Sequence, residues 1–466
     1  MMGGIIAAIS TPPGKGGVAI IRMCGEGCIN IASKVFFPMS KKAIYNYPER
    51  TQIYGYIKDG CEVLDDCMLT FFLAPRSYTG EETVEIACHG GVLVTATILE
   101  LLFKQGAAPA EAGEFTKRAF INGKLTLTDA EAIGRLLEAK SREQMRLAGN
   151  GQRALMSLEC SKIRESLADI LSSVFARIDY PEEDLGEYTD EQTVDALSSV
   201  KISLEELIST YRTGRAISEG IETVIVGKPN VGKSTLYNLI LGYDAAIVTD
   251  IAGTTRDVLS ESVSLGKVTL RLYDTAGIRK NANADEVERI GIMRSLAKLS
   301  TAELIFALFD TSTAPDDEDD KIFQGLKETE GTKIAIFTKS DLSENLEEEY
   351  KKALKDCGVE AYVAISAKQD GKGAIYSLER AVSSLFISDK ISVTDTAIVA
   401  TARQHSSLSA ALMHVDAAIS AYKDGVPADA AASEIELALC AIGELDGRAV
   451  SELVTNSIFS RFCVGK

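Results

Sequence analysis

Apolar positions in the first 120 residues come in short runs broken by turn residues. Runs at 18–22, 68–73 and 83–87 are rich in β-branched and aromatic side chains and read as strands. The run at 92–103 is long enough for a helix, so residues 1–120 are expected to form an α+β domain. From 121 to 217 the spacing changes to three and four. Ile163, Leu167, Ile170, Val174 and Ile178 fall on one helical face, and Pro181 is expected to end that helix. Residues 386–466 are similar and Ala-rich, with Leu437, Leu439, Ile442 and Leu445 in the last helix. Neither helical stretch closes a core by itself. The expectation is one helical domain made of 121–217 and 386–466, with 218–385 inserted; two separate helical domains are the alternative. Within 218–385, short apolar strands at 222–226, 270–273, 304–309, 334–337 and 361–365 alternate with helical patterns. That alternation implies a parallel α/β sheet.

Composition leaves this picture in place. The chain has 466 residues, 46% apolar and 25% charged, which excludes a collagen-like or wholly disordered polymer. At roughly 150 residues per domain it holds two to four domains. Charge is more informative. The 49 basic and 67 acidic residues give −18, which argues against coating nucleic acid by broad phosphate neutralisation and leaves room for a local basic patch. Residues 1–120 carry 11 basic and 12 acidic side chains, whereas 218–385 carry 20 and 28, so the acidity lies beyond the first domain. The contiguous carboxylates Asp316 to Asp320 read as a solvated loop rather than a metal cluster.

The N-terminus lacks a basic region before its apolar residues, and Pro12, Pro13 and Gly14 follow soon after, which makes a poor signal peptide. No run approaches the ~20 apolar residues of a membrane span. Nine scattered cysteines form no C-x-x-C pair, and Cys24 and Cys28 have no second ligand pair. That argues against zinc and for a reducing, cytoplasmic setting without membrane attachment. Three histidines leave little material for a histidine-based metal site.

The strongest chemical signal is Gly227-Lys228-Pro229-Asn230-Val231-Gly232-Lys233-Ser234, placed after a strand and before an amphipathic helix. It matches G-x-x-x-x-G-K-[ST]. Glycines let backbone N–H groups curl around phosphate, Lys233 supplies a cation to the outer phosphates, and Ser234 offers a hydroxyl to Mg²⁺. The helix N-terminus adds its dipole. Asp274, Thr275, Ala276 and Gly277 end a later strand, where Asp can hold Mg²⁺ through water and the Gly amide can sense the γ-phosphate. Thr338, Lys339, Ser340 and Asp341 end another; a carboxylate there can take both N1–H and N2–H of guanine. Ser366, Ala367 and Lys368 fit the guanine-side loop. In this order they resemble the five GTPase motifs. Thr338 stands where Asn is usual and reaches less far, which bears on nucleotide affinity more than on base choice. Ile278 stands where Ras-like enzymes place a water-orienting Gln. An Ile cannot position water, so catalysis needs another group; Glu286 and Glu288 lie just downstream, where a charged helix start is the plainer explanation.

With these motifs in place the chain resembles the MnmE (TrmE) family of tRNA uridine-modification GTPases from end to end. Supporting segments are 11–18, 77–82, 85–91, 113–116, 118–125 and 247–257, and the ending Phe462-Cys463-Val464-Gly465-Lys466, with Val where Ile or Leu is commoner. The resemblance implies an N-terminal domain, 1–120, that dimerises and binds tetrahydrofolate. It implies a helical domain interrupted by a Ras-like P-loop GTPase domain at 218–385. It also implies work with an FAD-dependent partner, as a heterotetramer or larger, to install an aminomethyl or carboxymethylaminomethyl group at C5 of the wobble uridine of certain tRNAs. The one-carbon donor would be 5-formyl- or 5,10-methylene-tetrahydrofolate.

By matching positions, Arg22, Glu85 and Lys124 would contact the folate and Lys466 would close its pocket. A pterin edge resembles guanine, so Glu85 suits it, and Arg22 and Lys124 suit a glutamate tail; surface charges or ion pairs are the alternative. The GTP contacts would be Asn230, Val231, Gly232, Lys233, Ser234 and Thr235, then Thr249, Asp250, Ile251, Ala252, Gly253, Thr254 and Thr255, with the later motifs. Asn230, Thr249, Ile251 and Thr254 match K⁺ positions, and Ser234 and Thr255 match Mg²⁺ ligands. A potassium ion there can neutralise transition-state charge as an arginine finger does. Glu288 matches the family's water-activating glutamate. Cys463 reads as a buried small residue in a docked tail rather than a nucleophile, because no base lies nearby to activate it. A GTP-switched assembly factor without modification chemistry is the competing function, since a GTPase fold alone does not decide the task.

Overall fold

The computed structural model describes residues 4–152, 154–179, 189–244, 260–273, 302–339, 346–366, 371–388, 391–448 and 452–466. The chain divides into two compact units. One comprises residues 1–137, 160–168 and 436–466; the other comprises 138–159 and 169–435.

The first unit is built on a seven-stranded sheet. Its strands are β1 (Ile6–Ile9), β2 (Gly16–Cys24), β3 (Phe36–Pro38), β4 (Ile53–Asp59), β5 (Glu62–Phe72), β6 (Thr83–Gly90) and β7 (Ala108–Pro109). Their order is β3-β4-β5-β6-β2-β1-β7. The three expected strands are present as β2, β5 and β6, and the expected helix as Val92–Lys104. Strands β1, β3 and β7 are too short to leave a period-two signal. In β4 the alternation is clear only once its faces are seen: Ile53, Gly55 and Ile57 are buried, while Tyr54, Tyr56 and Lys58 point outward. Helices Cys28–Val35 and Val92–Lys104 cover one face, closing a core with Ile29, Ile98 and Leu102 against Ile21, Leu69 and Ile86. Leu127, Ala130, Phe459 and Phe462 make a smaller core where the chain's C-terminus returns. The tail then adds an antiparallel bridge, Ala112 to Val464.

The second unit holds a six-stranded sheet in the order β13-β12-β11-β8-β10-β9. The strands are β8 (Ile221–Gly227), β9 (Ser260–Leu265), β10 (Val268–Tyr273), β11 (Leu304–Asp310), β12 (Thr332–Thr338) and β13 (Ala361–Ile365). All five expected strands are present and mutually parallel. The expectation of a parallel sheet needs one correction: β9 runs antiparallel to β10 at the edge. Its Ser-Glu-Ser-Val-Ser-Leu sequence alternates, as a one-sided edge strand should, and so gave no continuous apolar run.

Helix Asp190–Ser209 packs against helix Ala402–Lys423, with Lys201 Nζ 2.7 Å from Asp416 Oδ1. Helix Tyr211–Ser218 is joined to the extended segment at 397–400: Val399 N–H donates to Thr210 Oγ1, and Ser218 Oγ donates to Ala400 O. A Cβ at Gly214 would lie 2.1 Å from Val399 O, so only glycine allows this approach.

Three helical expectations change. In helix Leu155–Asp179, Ile163, Leu167, Ile170 and Val174 are buried, but Ile178 in the final turn is exposed. In helix Ala428–Asp446, Ile442 and Leu445 are buried while Leu437 is exposed; the buried stripe runs through Ala431, Ile435 and Ala438, and a further helix, Glu452–Phe459, follows. The acidic run is no loop. Asp316 caps helix Asp317–Lys327, accepting from the N–H groups of Glu318 and Asp319, so its carboxylates satisfy the orphan donors and favour the dipole.

Candidate functional site

Strand β8 leads on to β9 and β10 on one side while its neighbour β11 leads on to β12 on the other, so the chain reverses its winding at the C-terminal ends of β8 and β11. Ligands of parallel sheets bind in the crevice at such a point. There the chain turns through residues 228–232 into helix Lys233–Asp244. A Cβ on Gly227 would meet Leu308 O and Val231 Cγ1, each at 2.8 Å. Asn230 has φ 58° and Gly232 φ 106°, so two left-handed residues curl the loop. Lys233 Nζ donates to Gly227 O at 2.8 Å and to Lys228 O at 2.6 Å, which holds the ammonium over the loop. Ser234 and Thr235 are exposed in the first turn.

Two side chains brace this loop. Thr338 ends β12, and its hydroxyl lies 2.8 Å from Val231 O and 3.2 Å from Phe309 O, where it donates to a carbonyl. Thr is therefore long enough to tie the loop to β12. The second brace escaped sequence reasoning. Lys228 Nζ lies 2.6 Å from Asp319 Oδ2 and 2.9 Å from Asp316 Oδ2. Asp319 is fully buried, and Tyr350 donates to the same Oδ2 at 3.1 Å. Burial works against the Lys228 charge, yet hydrogen bonds to Asp316 and Asp319 raise its pKa above the ordinary lysine value. Burial and then Asp319 push the Tyr350 phenol upward, so it stays protonated as a donor.

On the base side, Lys339 has φ 58° and pairs with Asp310 at the end of β11. The buried Ser366 hydroxyl at the end of β13 has no hydrogen-bond partner among the described residues. Thr249 to Thr255, Asp274 to Gly277, Glu288, Asp341, Ala367 and Lys368 lie outside the described residues, as do Ile278 and Glu286.

A second cluster lies in the first unit. Arg22 on β2 faces Glu85 on β6, with Nε 2.9 Å and Nη2 2.8 Å from Oε1. The plainer expectation for these two residues, an ion pair, is thus present. The Arg22 guanidinium also lies 5.9 Å from the Tyr78 ring and 5.6 Å from the Phe115 ring, within cation–π range. Both aromatics sit in segments that carry the family resemblance, but nothing in their spacing marked them as neighbours of Arg22. Burial, and then the charge of Arg22, lowers the pKa of Lys466. The tail is held by Ser10 Oγ donating to Gly465 O at 2.9 Å. Lys124 joins the neighbouring loop, donating to Pro75 O at 3.1 Å. Arg22, Glu85 and Lys466 are therefore gathered, while Lys124 touches the loop that carries Tyr78. Cys463 is exposed, which corrects the expectation of a buried thiol: the docked tail is anchored through Gly465 and Val464, leaving the Cys463 side chain outward.

One histidine lies beside carboxylates on the N-terminal sheet. Asp65, Asp66 and His89 place ligand atoms within 4.8 Å of one another. His89 Nδ1 lies 2.7 Å from Asp65 Oδ1, and Tyr54 donates to Asp66, so protein partners already engage these groups. Among the described residues, no helix is long and apolar enough to cross a membrane.

Comparison with known proteins bears on the whole chain. A family model described as MnmE helical domain matches residues 127–463, and one described as GTP-binding protein TrmE N-terminus matches 5–124. The chain is 38% identical over 461 residues to a protein of Clostridioides difficile named tRNA modification GTPase MnmE, covering 99% of each. Relatives of the same name from Bacillus velezensis and Thermotoga maritima are 39% and 38% identical, each again covering 99% of both chains.

Proposed function

The chain belongs to the MnmE family of tRNA modification GTPases, and from that premise we propose the finer chemistry that its residues serve. It is a multidomain GTP-hydrolysing enzyme of tRNA modification, with an α+β N-terminal domain, a helical domain and a P-loop α/β domain. The proposed organisation is 1–120, then 218–385 inserted between helical parts 121–217 and 386–466. The proposed reaction is potassium-activated GTP hydrolysis by a cytoplasmic homodimer. With an FAD-dependent partner it would drive aminomethyl or carboxymethylaminomethyl addition at C5 of the wobble uridine.

The observation that carries the GTPase part is the braced loop after β8. Its backbone N–H groups and Lys233 can hold outer phosphates, and its position cannot drift, because Thr338 and Lys228 tie it to β12 and to helix Asp317–Lys327. Magnesium at Ser234 and potassium at Asn230 would neutralise phosphate charge as it builds. The unpartnered Ser366 hydroxyl suits the base side. Glu288 is the proposed water-orienting residue.

Arg22, beside the Tyr78 and Phe115 rings and paired with Glu85, and Lys466, which feels the Arg22 charge, offer two cations, one carboxylate and stacking surface. That set suits a flat heterocycle with an anionic tail, which supports tetrahydrofolate as the ligand; a bound folate supplies the one-carbon unit.

Mass spectrometry of tRNA nucleosides from a strain lacking this protein tests the reading. Loss of the C5-modified wobble uridines is expected; full modification would sink the reaction. GTP turnover should rise sharply when sodium is exchanged for potassium, and equal rates would remove potassium from the mechanism.

A further inference from the structure

The chain acts on tRNA yet carries a net charge of −18, so an RNA substrate needs a place where that charge is locally reversed. One cavity has this property. It lies at the edge of the N-terminal sheet, beside β3 and β4, and encloses about 580 Å³, within the roughly 300–1,000 Å³ usual for ligand sites. Phe37, Met39, Lys41, Lys42, Tyr56 and Lys58 line it.

The register explains the grouping. Phe37 on β3 stands opposite Tyr56 on β4, so both rings share the outer face. Lys58 follows two residues on, with its ammonium 5.3 Å from the Phe37 ring and 6.0 Å from the Tyr56 ring. Lys41 has φ 60° in the turn after β3 and, with Lys42, stands exposed at the rim. Residues 33–58 carry five basic side chains and one acidic, Glu49, which pairs with Arg76 at 2.6 Å. None of Lys41, Lys42 and Lys58 has a carboxylate partner among the described residues. Asp66, opposite Tyr56 on that face, accepts from the Tyr54 hydroxyl.

Phe37 and Met39 are 42% and 58% exposed, an unusual outlay of apolar surface beside unpaired cations. A groove with three lysines and open rings suits single-stranded nucleic acid, in which phosphates meet ammonium groups and bases stack on aromatic faces. We propose that this cavity is an RNA-contact site that holds an unpaired, phosphate-bearing stretch of the substrate tRNA. It rests on the tRNA-modification reading and adds the surface of this chain that meets the RNA.

The test uses the full chain, a fluorescently labelled tRNA transcript and the triple variant K41A/K42A/K58A. Anisotropy at about 0.1 M salt should show affinity falling at least tenfold. The slope of log affinity against log salt should flatten by about two to three units, one per lost phosphate contact. Phe37→Ala should weaken binding without changing that slope. GTP turnover without RNA and binding of 5-formyl-tetrahydrofolate should both stay at the wild-type level in both variants, which shows that both units are folded. Equal affinities and slopes for wild type and triple variant would overturn the proposal, as would an absence of tRNA binding by the wild type. A changed oligomeric state with unchanged RNA affinity would also overturn it, making this face a contact between copies. The nucleoside analysis of the deletion strain reads the modification reaction independently, so this site can fail while that reaction stands.

Discussion

Lys228 sits inside the most legible motif of the chain, yet at a position that the motif leaves free. Its partner Asp319 lies 91 positions later, in a run of carboxylates that reads as surface. Only the fold buries Asp319 and aims Lys228 at it. Breaking a buried pair strands a charge and typically costs about 3–5 kcal/mol, far more than a surface pair. The Lys228 side chain is 12% exposed and Asp319 is fully buried, so the buried case applies. Asp319→Asn is therefore expected to lower stability by about 3 kcal/mol in urea unfolding. It should also weaken binding of a fluorescent GDP about tenfold, whereas Lys228→Arg keeps most of the affinity. Wild-type nucleotide affinity in Asp319→Asn would show that the pair does not position the loop.

At the scale of elements, long apolar patterns found their places and short ones did not. Strands β11 and β12 match continuous apolar runs because a strand covered on both faces must be apolar throughout, whereas β13 at the sheet edge buries only Val363 and Ile365. Strands β1, β3 and β7 owe their existence to neighbours that supply hydrogen bonds. The terminal segment is a further case: it is held by a bridge at Val464 and by Gly465, whose φ is +94° and where a Cβ would lie 2.3 Å from Ile9 O. Gly465→Ala should displace Lys466 from Arg22. Calorimetry with 5-formyl-tetrahydrofolate is expected to show at least about tenfold weaker binding, equivalent to ~1.4 kcal/mol. Binding of fluorescent GDP should be unchanged. Undiminished folate binding would mean that the tail does not close that pocket.

Across the whole molecule, none of the nine cysteines is joined in a disulfide. Cys61, Cys440 and Cys463 are exposed and the other six are buried. Burial pushes Cys24 and Cys88 up to about 11 and Cys67 up to about 12, which keeps them as unreactive thiols at neutral pH. Titration with an aromatic disulfide reagent near pH 8 should show three fast thiols in the native protein and nine after unfolding. Six or more fast thiols would contradict the burial pattern. Charge also belongs to this scale. The acidity lies beyond the N-terminal domain, so a small cationic cavity there can meet RNA while the phosphate contacts are shared with a partner.

The sequence alone determined the phosphate loop, the buried strands and the family, because each rests on local spacing or on residues close together in the chain. The Lys228–Asp319 brace, the rings around Arg22, the outward Cys463 and the unpaired lysines of the edge cavity were decided by tertiary structure. Each joins positions far apart in the chain or depends on which side of an element faces water, and that choice is made only when the elements pack.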